Sequence, residues 1–425
     1  MNSGNNNRRL FNLKIMKDVF IVADNIISPL GVTSEENFTS LKKGLSGIKQ
    51  QHSPALADDP FYASLLNETN NQHLWPVPSP ATATNPWLVS SPTTPVHPWP
   101  ASSPATVTNY SSYTKFEQLL IASVSNALEN TEVDIKDKRT ILIISSTKGN
   151  ISLIENATIT PQLKKRVALH TSADLVAEYF HCANKPLVVS NACISGLLAI
   201  LIGRRLIQSG QYDHAVVVGA DVISKFVLSG FQSFQAISPG PCKPFDAARN
   251  GINLGEGAGT VILSSNKNYS KGIKITGGSV SNDANHISGP SRTGEELCQA
   301  IMKAMQDAKV TENDIDLISA HGTATVYNDE MEALAISMAK LLSVPINSLK
   351  GYYGHTLGAA GIIESVVSIQ SLKQNLILPS MGFSHPGVSK PLNVSGSLQT
   401  ASLKNCLKTA SGFGGCNAAL IFNKE

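Results

Sequence analysis

The stretch PLVVSNACISGLLAILIGRRL, residues 186–206, passes from a β-branched apolar run into an apolar segment of helical length. Cys193 lies between the two, directly after Asn191 and Ala192. A strand that leads straight into a helix is typical of an α/β layer. At a helix N-terminus the free amides and the helix dipole favour an anion, so a thiol at this position loses its proton more readily and is a candidate nucleophile. The alternative is a small buried hydrophobe, because free cysteine is among the most buried residue types.

The length and composition of the chain exclude several classes of function. A chain of 425 residues is long enough for one large domain or two fused halves. The 34 Lys and Arg residues nearly balance the 31 Asp and Glu residues, which predicts no nucleic-acid surface. The six cysteines show no zinc-ligand spacing, so we expect no metal and a reducing, cytoplasmic setting. No apolar run is long enough for a membrane span.

Two segments differ from the globular pattern. Residues 75–110 consist of three twelve-residue units that each begin with tryptophan, and they hold nine of the 22 prolines. Such composition predicts a flexible, extended surface loop inserted into the fold, whose deletion leaves activity largely intact. The alternative is a binding element anchored by the regularly spaced tryptophans. Residues 1–15 are predicted to form a disordered extension that precedes the first strand-like segment.

The rest of the chain alternates strands and helices. A strand-like segment at residues 18–26 leads into a helix for which Thr33 and Glu36 have the spacing of a capping box. After Lys271 the order of strands and helices repeats loosely. We therefore predict two α/β halves, at residues 16–270 and 271–425.

Two histidines strengthen the case for a site at Cys193. His321 follows a strand-like segment and precedes a helix, and His355 is predicted to repeat that arrangement. Ligands bind at strand ends in open α/β sheets, although a single histidine on such a loop is more often structural. The glycine-rich turn at residues 412–415 adds amides that can face a substrate oxygen.

These motifs, taken in order, resemble the β-ketoacyl-acyl carrier protein synthases. The resemblance rests on NACISG at Cys193, HGTATVYND at His321, KGYYGHTLGAAG at residues 350–361 and GFGGCNAAL at residues 412–420, together with KPFDAARNGINLGEGAGTVIL. It covers residues 19–422, apart from the 75–110 insertion. It implies the thiolase-like fold: two similar α/β halves that form a five-layered α-β-α-β-α core.

The resemblance also implies an activity, decarboxylative Claisen condensation of an acyl thioester with malonyl-acyl carrier protein. Cys193 would carry the acyl group, while His321 and His355 would bind the malonyl thioester carbonyl. The oxyanion would be bound by the backbone amides of Cys193 and Phe413, and Phe413 would also gate the acyl pocket. Lys350, with Glu332 as its partner, would order the histidine loops. The residues expected to contact the phosphopantetheine arm or the substrate are Thr323, Thr325 and Gly414.

Partners follow from the same resemblance. The phosphopantetheine arm arrives on acyl carrier protein, so no resident cofactor is expected. Lys164, Lys165 and Arg166 are candidates for a basic patch on this chain that docks the acidic carrier protein; the alternative is an ordinary solvated charged face. A homodimer, or a heterodimer with a related ketosynthase-like subunit, is expected.

Several positions depart from the family pattern or leave alternatives open. Asn191, Gly351 and Asn250 stand where the family commonly has other residues. Cys416 raises the possibility of a thiolase with a second catalytic cysteine, although buried packing is the favoured interpretation. A third possibility is a non-catalytic chain-length-factor-like subunit. The presence of Cys193 and both histidines argues against it.

Overall fold

The computed structural model describes residues 16–66 and 113–425. The strands are β1 Phe20–Ile27, β2 Lys49–Gln51, β3 Phe61–Ser64, β4 Thr140–Ser145, β5 Leu187–Val189, β6 His214–Asp221, β7 Leu254–Gly255, β8 Gly257–Ser264, β9 Ile273–Asn282, β10 Leu317–Ser319, β11 Ile346–Asn347, β12 Leu376–Ile377, β13 Gln399–Thr400, β14 Asn405–Gly412 and β15 Cys416–Lys424. The α-helices are α1 Ser34–Lys42, α2 Lys115–Leu128, α3 Pro161–Val167, α4 Leu169–Tyr179, α5 Ser195–Gln208, α6 Lys225–Ser233, α7 Glu295–Ala308, α8 Val326–Met338, α9 Lys350–Tyr353 and α10 Ala360–Gln374.

Ten strands form one continuous sheet in the order β11-β10-β14-β15-β9-β1-β8-β6-β4-β5. The five strands on each side of the β9–β1 junction are connected alike. In one half β4 pairs in parallel with β5 and β6, and β8 pairs antiparallel with β6 and β1. In the other half β10 pairs in parallel with β11 and β14, and β15 pairs antiparallel with β14 and β9. Two similar α/β halves therefore make up the fold.

Helices cover both faces of each half. Helices α5 and α10 pack against each other, α5 on β6 and α10 on β8 and β14, so they lie between the two halves. Helix α2 packs on the far side of β1 and β8, and α7 packs on the far side of β9 and β15. The result is the α-β-α-β-α layering that the sequence resemblance implies, and the fold prediction is confirmed.

Helices α5 and α10 are buried because each packs on strands of both halves, between which they lie. In α10 even the polar residues Glu364, Ser365 and Ser368 are inaccessible to solvent. A helix that is apolar nearly all round belongs in the middle of a protein rather than at its surface. Any charge on such a helix needs an internal partner, which bears directly on Glu364.

The structure contains the capping box that the sequence predicts at the start of α1. The Thr33 side chain accepts a hydrogen bond from the Glu36 amide, and the Glu36 carboxylate accepts one from the Thr33 amide, so the predicted capping box is confirmed. Strand β11 ends at Asn347, and Lys350 begins the short helix α9.

The predicted extension at residues 1–15 and the repeat at 75–110 lie outside the described residues. The two chain ends that flank the second segment are held together by one carboxylate. Glu256 accepts a hydrogen bond of 2.9 Å from the Leu66 amide and pairs with the Lys115 ammonium at 2.7 Å. Lys115 also donates to the Leu66 carbonyl at 3.0 Å. Leu66 and Lys115, which flank residues 67–112, are thus held next to each other.

No helix in residues 16–66 and 113–425 combines the length and the apolarity that crossing a membrane requires.

Candidate active site

Cys193 lies on a strained turn between β5 and α5. Ala192, just before it, has φ of 45°, a left-handed conformation that is costly for alanine. The Ser195 hydroxyl stabilises this turn, because it donates to the Ala192 carbonyl at 2.6 Å and accepts from the Asn191 amide at 2.8 Å. Asn191 contributes to the turn through its backbone, and the residue is exposed. This turn fixes the direction of the cysteine side chain.

Two glycines allow the elements around this turn to approach closely. A Cβ at Gly412, the last residue of β14, would lie 3.0 Å from the Cys193 nitrogen. A Cβ at Gly196 would lie 2.8 Å from the Gly358 carbonyl oxygen. Both distances are shorter than ordinary van der Waals contact. Glycine at each position therefore lets the cysteine turn pack against both β14 and the segment that follows His355.

The thiol of Cys193 keeps its proton in the resting site. Burial raises its pKa to about 12, and the positive charge of Lys350 and a hydrogen bond from the Phe413 amide counter this only in part. The prediction that a helix N-terminus makes this thiol lose its proton readily is therefore wrong. Loss of hydration in the buried site is the largest cause of the raised pKa.

His321 is held in place by a buried carboxylate. The Glu332 side chain accepts hydrogen bonds from the backbone amides of His321 at 2.9 Å and Gly322 at 2.6 Å. The Thr409 hydroxyl on β14 donates to the same carboxylate at 3.1 Å. As predicted, His321 follows a strand end, two residues after β10. Glu332 thus supports the histidine loop through backbone amides.

His355 occupies a different kind of segment from the one predicted. It follows α9 and the left-handed Gly354 rather than a strand end, and its amide donates to the Asn253 carbonyl at 2.7 Å. Three residues later, the Gly358 amide donates to the buried Asp221 carboxylate at 2.7 Å. The correction has a simple cause: a four-residue helix between β11 and His355 leaves little periodic signal in the sequence.

The partner of Lys350 is Glu364, not Glu332. The Lys350 ammonium forms a very short ion pair with Glu364 on α10 and donates to the His321 carbonyl at 3.0 Å. Lys408 on β14 pairs with the other oxygen of Glu364 at 2.7 Å. Burial by itself raises the pKa of the Glu364 carboxyl, but the two ammonium groups hold it below its usual value. The expected pairing with Glu332 is therefore corrected.

Glu364 and Lys408 were missed at the sequence level, although both leave a signal. Each is a charged residue inside an apolar segment, AAGIIESVV and NCLKTAS respectively. Buried charges of this kind are rare unless they are paired. Pairing them by spacing alone is impossible, because 44 positions separate residues 364 and 408 in the chain.

Cys193, His321 and His355 converge at one point. Their sulfur and ring nitrogen atoms lie within 4.8 Å of one another, and the two imidazole rings meet edge to face with centroids 5.2 Å apart. Burial lowers the pKa of each histidine well below its ordinary value, and the positive charge of Lys350 adds to the effect. Both rings are therefore neutral at pH 7, and each carries one N–H and one acceptor nitrogen.

The three side chains also form a donor set of the kind that zinc uses. The positive charges of Lys350 and Lys408, which act on both histidines, oppose a divalent ion at this point. The arrangement suits a neutral nucleophile and two neutral hydrogen-bonding rings better than a cation.

Phe413 lies at the mouth of the site. Its ring stacks on Phe231 with centroids 5.6 Å apart, meets Phe234 edge to face at 5.6 Å, and is 37% exposed. A core aromatic would be buried, so the exposed fraction favours the gating interpretation. Its backbone amide points at the Cys193 sulfur.

A cavity of about 90 Å³ opens onto the three central side chains. Thr323 and Thr325 line it, with their hydroxyl oxygens 2.9 Å apart. Gly414 does not line it, because the amide of this residue turns away to the Ile287 carbonyl at 2.8 Å. Cys416 is also outside the cavity wall, and its thiol lies 3.3 Å from the Phe413 carbonyl oxygen. This contact supports a packing role for Cys416.

Comparison with known proteins agrees with this geometry. The family described as beta-ketoacyl synthase, N-terminal domain, matches residues 16–268, and the corresponding C-terminal domain matches residues 273–384. The chain belongs to the β-ketoacyl synthase family. Membership of this family supports a condensing acyltransferase activity in fatty-acid or polyketide synthesis.

Individual β-ketoacyl synthases are similar over most of the chain. A 3-oxoacyl-[acyl-carrier-protein] synthase 2 of Vibrio cholerae is 29% identical over 340 residues, which cover 73% of this chain and 82% of that protein. The crystal structure of a β-ketoacyl synthase from Burkholderia phymatum superposes with a TM-score of 0.79 at 24% identity, and covers 96% of this chain and 100% of the other. One chain of the ketosynthase–chain length factor complex of Xenorhabdus doucetiae superposes with a TM-score of 0.77 at 22% identity, with 96% of this chain and 98% of that chain covered.

Proposed function

We propose that this protein catalyses the decarboxylative Claisen condensation of an acyl thioester with malonyl-acyl carrier protein, giving a 3-oxoacyl-acyl carrier protein. The observation that carries the proposal is the convergence of the Cys193 thiol with two neutral histidines within 4.8 Å. A nucleophile beside a base accounts for acyl transfer, and two neutral N–H donors account for binding of a developing enolate.

The first half-reaction loads the enzyme. The Cys193 sulfur attacks the acyl thioester carbonyl, and the pantetheine thiolate leaves. Because the resting thiol is protonated, its proton must move as the C–S bond forms. A neutral imidazole of the adjacent pair accepts this proton and returns it to the departing thiolate. The amides of Cys193 and Phe413 are the donors that would bind the intermediate oxyanion.

The second half-reaction forms the carbon–carbon bond. His321 and His355 donate hydrogen bonds to the malonyl thioester carbonyl, and the electrons of the breaking bond to CO₂ collect there as an enolate. The enolate carbon attacks the carbonyl of acyl-Cys193, and the cysteine thiolate leaves and regains a proton. Neutral rings suit this step, because they donate to the oxygen without holding the malonyl carboxylate as an ion pair.

The substrate arm and the partners belong to the same proposal. Thr323 and Thr325, on the cavity wall, are suited to hold the phosphopantetheine arm that arrives on acyl carrier protein, so no resident cofactor is required. Lys164 and Lys165 are exposed and remain candidates for carrier-protein docking. Arg166 is less suited to docking, because its guanidinium pairs with the buried Glu117 carboxylate.

We further propose that the protein forms a homodimer or a heterodimer through β5. This strand pairs only with β4 among the described strands, and Leu187 at its start is 38% exposed. Edge strands of this kind offer unpaired backbone groups to a second chain.

The rival function is a non-catalytic subunit that complements an active synthase. Incubation of the purified protein alone with malonyl-carrier protein separates the two, since only a catalytic synthase releases CO₂. Intact-protein mass spectrometry with a panel of acyl-carrier proteins then identifies the acyl group retained. Cys193→Ala should abolish acyl-enzyme formation. A Cys193→Ala protein that still carries a stable acyl thioester would refute the assignment.

A further inference from the structure

Lys408 is a fully buried lysine whose ammonium is surrounded by oxygen. It lies in the middle of β14, and none of its surface is exposed. Its nitrogen lies 3.1 Å from the Ser319 carbonyl, 3.2 Å from the Ala320 carbonyl and 2.7 Å from the Thr409 carbonyl. The Glu364 carboxylate is the fourth oxygen group, at 2.7 Å.

This environment is that of a monovalent cation. An ammonium has three protons to donate, yet four oxygen groups surround it. Its positive charge therefore attracts these oxygens in addition to the hydrogen bonds that it donates. Cages of backbone carbonyls replace the hydration shell of potassium in proteins. Three carbonyls and one carboxylate form such a cage here, and the lysine side chain delivers the positive charge covalently.

The oxygens of the cage belong to elements that position the active site. Ser319 ends β10, and Ala320 immediately precedes His321. Glu364 lies on α10 and also pairs with Lys350, which in turn holds the His321 carbonyl. The ammonium of Lys408 therefore ties the approach to His321 to the same carboxylate that anchors Lys350.

Lys408 does not line the cavity, so it has no route to the reacting atoms. Its influence on catalysis must pass through the position of His321. Removing its charge would take away the ammonium that the three buried carbonyls bind and would leave Glu364 with only one cation. A displacement of about 1 Å in a catalytic group can cost roughly 100-fold in rate.

We propose that Lys408 is a built-in monovalent cation, a positioning residue whose ammonium fixes His321. The oxygen cage that it fills will accept free ammonium or potassium once the side chain is cut back. The effect on rate rests on the proposed condensing function, whereas occupation of the cage does not.

Two substitutions separate the charge from the volume of the side chain. Lys408→Ala leaves space for a small cation, and Lys408→Met fills that space without a charge. Lys424→Ala is the matched control, because the Lys424 ammonium also binds a carbonyl, that of Leu372 at 3.0 Å, but lies at the end of β15. Each protein is assayed for malonyl-carrier protein decarboxylation and thermal unfolding in ammonium, potassium and choline chloride at equal ionic strength.

We expect both Lys408 variants to lose about 100-fold in kcat with little change in KM in choline chloride. Ammonium or potassium should restore most of the rate and raise the melting temperature for Lys408→Ala alone, because the ion binds the folded state. Lys424→Ala should keep the wild-type rate and show no cation preference.

Two results would overturn the proposal. The first is a Lys408→Met protein with the wild-type rate. The second is a Lys408→Ala protein whose melting temperature is the same in all three salts, or which is unfolded in all three. If the wild-type protein fails to release CO₂, the proposed function fails, and the melting experiment alone decides the role of Lys408.

Discussion

The contact between Gly412 and the cysteine turn offers a direct test of the oxyanion geometry. A single Cβ at position 412 would lie 3.0 Å from the Cys193 nitrogen, 3.1 Å from the Cys416 sulfur and 3.2 Å from the Ala192 Cβ. Each distance is several tenths of an ångström too short. Two of these neighbours belong to the turn that holds the nucleophile, so Gly412→Ala must displace either β14 or the Cys193 amide.

The expected cost is moderate for folding and larger for catalysis. Overpacking by one methyl group costs about 1–3 kcal/mol of unfolding free energy. Loss of one oxyanion donor costs about 100- to 1000-fold in rate, so a partly displaced amide should cost on the order of 10- to 100-fold. Single-turnover acylation of Cys193 from an acyl-carrier protein measures the rate, and denaturant unfolding measures the stability.

Gly396→Ala is the matched control, because a Cβ there meets no atom within 4 Å. It should change neither quantity by a measurable amount. Wild-type acylation by a folded Gly412→Ala protein would refute the assignment of the Cys193 and Phe413 amides to the oxyanion site. A loss of stability with no loss of rate would lead to the same conclusion.

Three further changes have defined outcomes. Cys416→Ser should leave condensation mostly intact, because the thiol only packs against the glycine turn; a loss of decarboxylation would instead give it a catalytic role. Between pH 6.5 and 5.5 the unfolded chain binds more protons than the folded one at His321 and His355, so the free energy of unfolding should fall by about 1 kcal/mol per histidine. In a variant with both His321→Asn and His355→Asn, the free energy of unfolding, measured with denaturant, should fall less between these pH values. An equal fall in the variant and the wild type would contradict the assignment of neutral rings. Replacing residues 67–112 with a short flexible linker should preserve folding and carrier-protein decarboxylation, since Glu256 holds both flanks; a folded but inactive protein would favour a binding role for the repeat.

Much of the local structure is encoded by short-range patterns. The capping box at Thr33 and Glu36 needs only four consecutive positions, and the sequence predicts it correctly. By contrast, the path of the chain into His355 was mispredicted, because α9 is a single turn whose residues carry no helical period.

The pKa values and ion pairs of the site depend on how the chain packs, and the position of a residue in the sequence does not predict them. The helix N-terminus near Cys193 suggested a lowered thiol pKa, yet burial raises it to about 12. Similarly, Glu332 was expected to bind Lys350 and instead receives backbone amides, while Glu364 binds both buried lysines. Desolvation and ion pairing depend on what surrounds a group in three dimensions, and residues distant in sequence supply those surroundings.

By itself, the sequence determined the α/β class, the two halves and the identity of Cys193, His321 and His355 as the central residues, because periodicity and ordered motifs are local properties. The tertiary structure alone decided that the thiol is protonated, that both rings are neutral, and that Lys408 and Lys350 share one carboxylate. These properties arise where β10, β14 and α10 meet, and only the folded chain brings those segments together.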